Sequence, residues 1–280
     1  MVQAVEPGPA WWRVVDGDTT VYVLGAADDE MPADVGWDRR WLERRMRGAN
    51  GLVLGTRVGL TGGVRDLPAL IRARNRLRSK TPMEEDLPPA LRARFVAARE
   101  RAGQPAKRYA GWQPLIAGEM LQDDVAGKRK TQRVSGAARA LARAAKVPVV
   151  EPARYPIAPF LKAMTPSLTP AVHQQCLAGA LDDAETPPAR TRAAFEGWAR
   201  GDTAAALDVP RSFDKCVLLL GGGPELWRRS VEDVASALQA QLARPGHAVA
   251  VVNLRLWLAE DGLASELRRR GVRVLGPGEG

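Results

Sequence analysis

Residues 11–37 read WWRVVDGDTTVYVLGAADDEMPADVGW, and the interpretation of the whole chain depends on this stretch. Apolar residues recur at every second position on both sides of Asp16-Gly17, which is the period of two half-buried strands. An Asp-Gly dipeptide accepts the positive φ angles of a tight type I′ turn, so the sequence predicts a β-hairpin. The second strand ends at Gly25 and opens into an acidic loop, a common place for a functional site.

This hairpin carries a family resemblance. The pattern Trp-Arg-Val-x-Asp-Gly-Asp-Thr-Thr-Val-Tyr-x-Leu-Gly, with Pro32 a few residues later, resembles the start of the TraB/GumN family, which includes PrgY and the animal Tiki proteases. In that family the last glycine begins a Gly-x-x-His motif whose histidine is a metal ligand. Here the motif reads Gly25-Ala-Ala-Asp28, so the frame is retained and the histidine is replaced.

Two further family positions also differ in this chain. The strand that typically ends in Leu-Val-x-Glu near the family's active centre has Gly55 at the glutamate position, and the histidine of a second motif falls at about Leu256. The glutamate that follows the family's Lys-Pro-Val segment is retained as Glu151. The resemblance therefore implies a degenerate site at Gly25, Asp28, Gly55, Glu151 and Leu256.

The resemblance extends from about Trp11 to Leu275 and implies the fold class. We expect an α/β protein of the mixed α+β type, with a TraB/GumN-like (Tiki/EreA/ChaN-like) core in which helices flank a mixed sheet. A disordered tail is predicted at residues 1–9, followed by a single domain over 10–280 with a helical middle region at about 65–215. A chain of 280 residues is long enough to bury a sizeable core.

Two segments near the carboxyl terminus bear on nucleotide binding and on the position of the site. The glycine run at 221–223 lacks the Gly-Lys-Ser/Thr ending of a phosphate loop, so it predicts a turn that interrupts helical structure. Residues 246–252 predict a strand and residues 254–262 a loop. The resemblance implies that this loop and the acidic loop after Gly25 meet to form the site.

The remaining side chains limit the metal chemistry of that site. A catalytic transition metal commonly takes about three imidazole or carboxylate ligands. The only histidines, His173 and His247, are not at family ligand positions, and we expect surface or capping roles for both. Asp28 and Glu151 are weak candidates for an oxygen-only Mg²⁺ or Mn²⁺ site. The alternative is that the acidic loop caps the next helix and stays hydrated, and we expect no cofactor.

The chain is basic, with 41 Lys and Arg residues against 32 Asp and Glu residues and a net charge of +9. Such a charge permits attraction to nucleic acid or to anionic membrane surfaces. The basic runs lack interleaved aromatic residues and match no nucleic-acid-binding motif, so a solvated surface is the favoured interpretation. These runs comprise Arg72, Arg74, Arg76, Arg78 and Lys128 to Arg133.

Cysteine use and hydropathy bear on the compartment. Cys176 and Cys216 have no metal-motif spacing, and we expect two half-buried thiols, although their separation leaves pairing open. No apolar run of about 18 residues predicts a membrane span. No signal peptide is visible at the amino terminus, so we expect a cytoplasmic protein. The alternative is a periplasmic or exported protein whose leader is missing from the sequence.

Three functions follow from these patterns. The first is a catalytically inactive family member, a pseudoenzyme with a binding or regulatory role. Its partner would be an unknown protein or small molecule that binds in the cleft corresponding to the family's active site. The second is a divergent metal-dependent hydrolase or peptidase that uses Asp28 and Glu151. The third is a basic protein that binds nucleic acid or an anionic surface, although we do not expect nucleic acid as a partner. We favour the first because it explains both the retained frame and the lost histidines; a fold by itself carries no function.

Overall fold

A six-stranded mixed sheet organises the protein, whose computed structural model describes residues 8–27, 30–59, 66–127 and 130–279. The predicted tail at 1–9 falls mostly outside these residues, but Pro9 is buried. The strands are β1 (Trp11–Val15), β2 (Thr19–Ala26), β3 (Glu30–Pro32), β4 (Leu52–Leu54), β5 (Arg57–Gly59), β6 (Thr131–Arg133), β7 (Val149–Val150), β8 (Arg154–Pro156), β9 (Gly246–Asn253) and β10 (Arg273–Leu275).

The centre of the sheet joins the two ends of the chain. Its strand order is β10-β1-β2-β9-β4-β7. Strands β2, β9, β4 and β7 are parallel neighbours, whereas β1 runs antiparallel to both β2 and β10. The expected mixed sheet is confirmed, and the amino-terminal hairpin and the carboxyl-terminal strand share one core. Two small sheets, β3-β6 and β5-β8, lie outside the main one.

The predicted hairpin forms, but its turn differs from the prediction. The backbone N–H of Asp16 donates to the Thr19 carbonyl at 3.2 Å, and the Asp16 carboxylate accepts from the Thr19 N–H at 2.9 Å. Neither Asp16 nor Gly17 has a positive φ, so the type I′ prediction is wrong. The Asp16 side chain supplies the hydrogen bond that holds the turn, which needs no left-handed residue.

Helices cover both faces of the sheet. Residues 248–252 are all buried, although successive side chains of a strand point to opposite faces. None of the helices within the described residues is long and apolar enough to span a bilayer. They are α1 (Arg40–Met46), α2 (Leu67–Leu77), α3 (Pro89–Arg101), α4 (Pro114–Ala126), α5 (Val134–Ala144), α6 (Ile157–Met164), α7 (Pro170–Ala184), α8 (Pro188–Ala199), α9 (Thr203–Leu207), α10 (Ser212–Leu219), α11 (Gly223–Leu242), α12 (Leu254–Leu258) and α13 (Leu263–Arg269).

The glycine run forms the turn between α10 and α11, as predicted. Gly222 has a φ of +86°, a left-handed conformation that glycine adopts without strain. At Gly223 a side chain would come within 2.1 Å of the Leu218 carbonyl oxygen. These glycines therefore serve a tight helix–helix connection, and the run is accounted for without a phosphate.

The middle of the chain has its own packing centre, which contains a disulfide. Cys176 on α7 and Cys216 on α10 are bonded, with their Cα atoms 5.3 Å apart, and both are buried. The expectation of two half-buried thiols is wrong. The helices approach closely at Gly179, where a Cβ atom would lie 2.8 Å from the Ser212 carbonyl oxygen, so the cysteines come within bonding distance.

We predict that replacing both cysteines with alanine lowers the free energy of unfolding by about 4 kcal/mol. The bond joins residues 40 positions apart, and cross-linking a loop of that size restricts the unfolded chain by about this amount. Denaturant unfolding of the oxidised protein and the double variant measures the difference. The wild type under reducing conditions is the control and should unfold like the variant. Equal midpoints for the oxidised and reduced wild type would contradict the pairing.

Candidate functional site

The carboxyl ends of the four parallel strands form one edge of the sheet. Ala26 at the end of β2 pairs with Asn253 at the end of β9, and Leu54 of β4 pairs with Val251. Val150 ends β7 at the same edge. Ligands of open α/β sheets bind outside the carboxyl ends of the strands. We call this edge, with the positions Gly25, Gly55, Glu151 and Leu256, the strand-end site.

Gly25 is buried where three elements meet. Its carbonyl oxygen accepts a hydrogen bond of 2.6 Å from the Trp198 indole N–H. A Cβ atom here would lie 2.6 Å from Leu254 Cδ1 and 3.0 Å from Trp12 Cζ3. The retained glycine of the Gly-x-x-His frame is therefore explained by packing. Asp28, which stands at the histidine position, lies outside the described residues.

We predict that Gly25→Ala destabilises the protein by about 1–3 kcal/mol, the usual cost of overpacking a filled core. The added methyl group must displace Leu254 and press on the Trp12 ring. Thermal or denaturant unfolding measures the loss. Gly55→Ala is the matched control, because a Cβ atom at Gly55 meets nothing within 4 Å. If the Gly25→Ala variant is as stable as that control, Leu254 and Trp12 make room for the methyl group without cost and the prediction is wrong.

Gly55 follows β4 and borders a small cavity. We call this cavity of about 190 Å³ the polar pocket; the side chains of Thr56, Arg57, Ser135, Arg139 and Asn253 contribute to its wall. The Thr56 and Ser230 hydroxyl oxygens are 2.5 Å apart and hydrogen-bonded. The family's glutamate position thus faces hydroxyl and guanidinium groups.

Glu151, the retained family acid, is surrounded by arginines. Its carboxylate accepts a hydrogen bond from Arg139, and it lies 3.8 Å from the Arg154 guanidinium and 4.0 Å from Arg57 Nε. The Arg139 hydrogen bond is the main cause that lowers the pKa of Glu151, and the charges of all three arginines lower it further. Three guanidinium groups facing one carboxylate leave a formal charge of +2.

The short β5-β8 sheet assembles this arginine cluster. Arg57 pairs directly with Arg154 in the register of the two parallel strands. Like charges opposite each other destabilise a sheet, and Glu151 lies within reach of both guanidinium groups. Arg139 comes to the same carboxylate from α5. Of this cluster, the sequence indicated only Glu151. Arg57 and Arg154 were missed because the three-residue strands β5 and β8 are too short to show a recognisable period.

Leu256 lies on a helix, which corrects the predicted loop at 254–262. The Asn253 side chain accepts hydrogen bonds from the backbone N–H groups of Arg255, at 2.9 Å, and Leu256, at 3.1 Å. Asparagine is among the strongest helix N-caps, so residue 253 was an available signal for α12. Leu256 is half-buried and lines a larger cavity of about 930 Å³, which we call the apolar pocket.

The described residues do not fit the metal site that the family resemblance implies. They contain no group of three His, Cys, Asp or Glu side chains placed to hold a metal ion. The weak Mg²⁺ or Mn²⁺ candidates were Asp28 and Glu151. Asp28 is outside the described residues, and Glu151 is bound by arginines that repel a dication.

The two histidines lie away from the strand-end site. His173 is buried on α7, and burial lowers its pKa, so the expected surface or capping role is wrong for this residue. His247 lies at the amino-terminal end of β9, where its Nε2 atom is 2.9 Å from the Arg45 carbonyl oxygen. This contact anchors β9 to the end of α1.

The basic runs are spread over different surfaces. Lys128 and Arg129 lie outside the described residues, whereas Arg133 belongs to β6 and forms an ion pair with Glu30 of β3. The arginines at 72, 74, 76 and 78 are exposed on or just after α2. Arg78 stacks over the Trp112 ring at 3.9 Å.

The start of α1 is held by Asp38, whose carboxylate accepts a hydrogen bond of 2.9 Å from the backbone N–H of Arg40.

We predict that Glu151→Gln destabilises the protein at neutral pH and that this effect disappears on acidification. Because the folded-state pKa is lowered from about 4.5, the stabilisation is fully present above that value and is lost as the pH falls through the folded pKa. Unfolding midpoints of both proteins from neutral pH down to about pH 3 measure it.

The control for Glu151→Gln is the same substitution in an Arg139→Gln background. If the carboxylate acts mainly through Arg139, the destabilisation and its pH dependence shrink in that background. A pH-independent difference of the same size in both backgrounds would contradict the charge–charge explanation.

Comparison with known proteins identifies the family. A sequence model described as the TraB/PrgY/gumN family matches residues 10–275 of this chain. No curated protein and no solved structure matches it. The matched range contains the whole strand-end site, together with the helical middle of the chain.

Proposed function

This chain belongs to the TraB/PrgY/gumN family, and we propose that it is a catalytically inactive member whose strand-end site binds a ligand. The observation that carries the proposal is the state of Glu151. Its carboxylate is bound by Arg139 and faces Arg57 and Arg154, so it is not available as a metal ligand.

The side chains at the family's metal-ligand positions support this proposal. The resemblance places imidazoles at two loop positions and a carboxylate after β4, and the chain has Asp28, Leu256 and Gly55 there. An aliphatic side chain and a glycine side chain cannot coordinate a metal. Loss of even the outer partners of metal ligands commonly costs about 10–100-fold in affinity or activity. Loss of the ligands themselves has a larger effect.

The binding role is supported by the space that remains. The polar pocket and the apolar pocket both open at the strand-end site. Ligand sites of proteins are concave and mostly apolar with a few placed polar groups. The retained fold thus offers a cleft of suitable size for a small molecule or a segment of a protein partner.

The divergent hydrolase is the competing proposal, and its ligands would be Asp28 and Glu151 with Mg²⁺ or Mn²⁺. Such a site needs Glu151 to leave Arg139 and needs a cation to approach three guanidinium groups. Both steps oppose the electrostatics of the cluster. We therefore place this function second.

The disulfide supports the exported alternative for localisation. Disulfides persist mainly in oxidising compartments and are rare in the cytosol, where thiols are kept reduced. Cys176 and Cys216 are bonded and buried in the helical middle region. We accordingly propose an oxidising compartment for this protein, in place of the cytoplasm.

We predict that the purified protein retains far less than one equivalent of Zn²⁺, Mn²⁺ or Co²⁺ after dialysis and shows no metal-dependent peptidase activity. The reason is that glycine and leucine stand at two of the family's ligand positions, 55 and 256, and that Glu151 is bound by Arg139. Elemental analysis and a peptidase assay with added metal measure both properties. An Asp28→His variant, which restores the first family motif, should gain little because Gly55 and Leu256 remain.

The opposite result would be a stoichiometric metal that survives dialysis together with hydrolysis that Asp28→Ala abolishes. Asp29→Ala is the matched control, since it removes the neighbouring acid from the same loop. Such a result would establish the divergent hydrolase in place of the inactive protein.

A further inference from the structure

The apolar pocket has the size and lining of a ligand cavity. Its volume of about 930 Å³ lies near the upper end of the range for small-molecule sites. Three helices from the middle and end of the chain, α6, α10 and α12, supply most of the wall. Representative side chains of that wall are Ile116, Phe160, Leu161, Val217, Trp227 and Leu256.

The polar pocket differs in size and charge. It holds about 190 Å³, enough for a small polar group, and Arg57 and Arg139 contribute to its wall. The Nε atom of Arg139 is buried and has no hydrogen-bond partner among the described residues. Buried donors in folded proteins almost always have a partner. The hydrogen bonding of this guanidinium is therefore incomplete, but Nε itself is enclosed, and a ligand would meet the exposed part of the Arg139 side chain.

The two cavities meet at one point of the strand-end site. Asn253, at the end of β9, lines both of them. Thr56 of the polar pocket is hydrogen-bonded to Ser230 of the apolar pocket, so their walls are continuous there. The cavities are neighbours that share part of their wall, and a ligand that spans them would pass at Asn253, which is exposed.

We propose that the two pockets together bind a single-chain amphipathic anion. Its alkyl chain occupies the apolar pocket beside Leu256, and its carboxylate or phosphate head lies in the polar pocket against Arg139 and Arg57. This assignment rests on the proposed binding function and names its ligand class. The two arginines in the wall of the polar pocket, Arg57 and Arg139, select an anion over a cation, and the large apolar wall selects a chain over a free inorganic ion.

The charge around the head position is favourable for this ligand. Arg139 is partly shielded from water, so a negative group beside it is screened less than at an open surface, whereas Arg57 is exposed. Planar guanidinium groups match the geometry of carboxylate and phosphate oxygens. Glu151 holds Arg139 through one hydrogen bond and leaves its Nε–H without a partner.

The test uses the full chain and calorimetric titration with probes below their micelle concentrations. We expect dodecanoate or dodecyl phosphate to bind one to one, and acetate, inorganic phosphate and dodecyltrimethylammonium to bind at least about tenfold more weakly. Comparison of the first two probes distinguishes a carboxylate from a phosphate ligand. Equal affinity for dodecanol and dodecanoate, or no binding of either anion, would overturn the proposal.

Variants separate the head contact from the tail contact. Arg139→Gln and Arg57→Gln should each weaken dodecanoate binding by about tenfold, the effect of one charge-assisted hydrogen bond. Leu256→Glu should abolish it by placing a charge in the apolar wall. Arg143→Gln, an exposed position on the same helix as Arg139, is the matched control and should bind like the wild type. Thermal unfolding of each variant identifies any that fails to fold.

Failure of this proposal is distinguishable from failure of the proposed function. If the anions do not bind while the protein retains no metal, only the ligand class is wrong. If the protein retains a catalytic metal, the inactive-protein proposal is wrong whatever the anions do. Unchanged dodecanoate binding in folded Arg139→Gln and Arg57→Gln proteins refutes the head assignment directly.

Discussion

The parallel pairing of β2 with β9 is the constraint on which the rest of the structure depends. It joins residues 19–26 to residues 246–253 over eight consecutive partners, from opposite ends of the chain. A slip of one residue would turn every side chain to the other face of the sheet, and both faces are buried. The start of the ladder is held by Thr19, whose hydroxyl donates to the Arg244 carbonyl at 3.1 Å. Because the ladder ends at Ala26 and Asn253, the segment after β2 and the helix α12 after β9 leave the sheet side by side.

The elements with a clear local period were predictable from the sequence, and those without one were not. The hairpin and β9 have alternating or continuous apolar runs that form the core. The helix at 254–258 was missed because the family resemblance suggested a loop, although Asn253 is a strong N-cap. The disulfide could not be derived from a separation of 40 residues. It depends on the close approach of α7 and α10 at Gly179, which is a property of three-dimensional packing.

In the strand-end site, too, some features were predictable from the sequence and others depend on three-dimensional packing. The family resemblance indicated which ligand positions differ in this sequence, because each difference is a single residue within a recognisable motif. It did not reveal what surrounds the remaining acid, since Arg57 comes from β5, which is distant in the chain, and Arg139 comes from α5, 12 residues before Glu151. Glu151 was a metal candidate when considered alone. Next to the paired Arg57 and Arg154 it is a counter-ion that reduces repulsion within the β5-β8 sheet.

This counter-ion role changes the meaning of the retained glutamate. A carboxylate that compensates three guanidinium groups has this role whether or not a metal is present, so its retention does not by itself indicate catalysis. Two arginines of this cluster, Arg57 and Arg139, line the polar pocket, which adjoins the apolar pocket at Asn253. Low-polarity walls strengthen electrostatic interactions of nearby charges. An edge of the sheet with this arrangement repels divalent cations and attracts anions. Leu256 adds an aliphatic side chain to the apolar pocket, whose wall shares Asn253 with the pocket that contains Arg57 and Arg139.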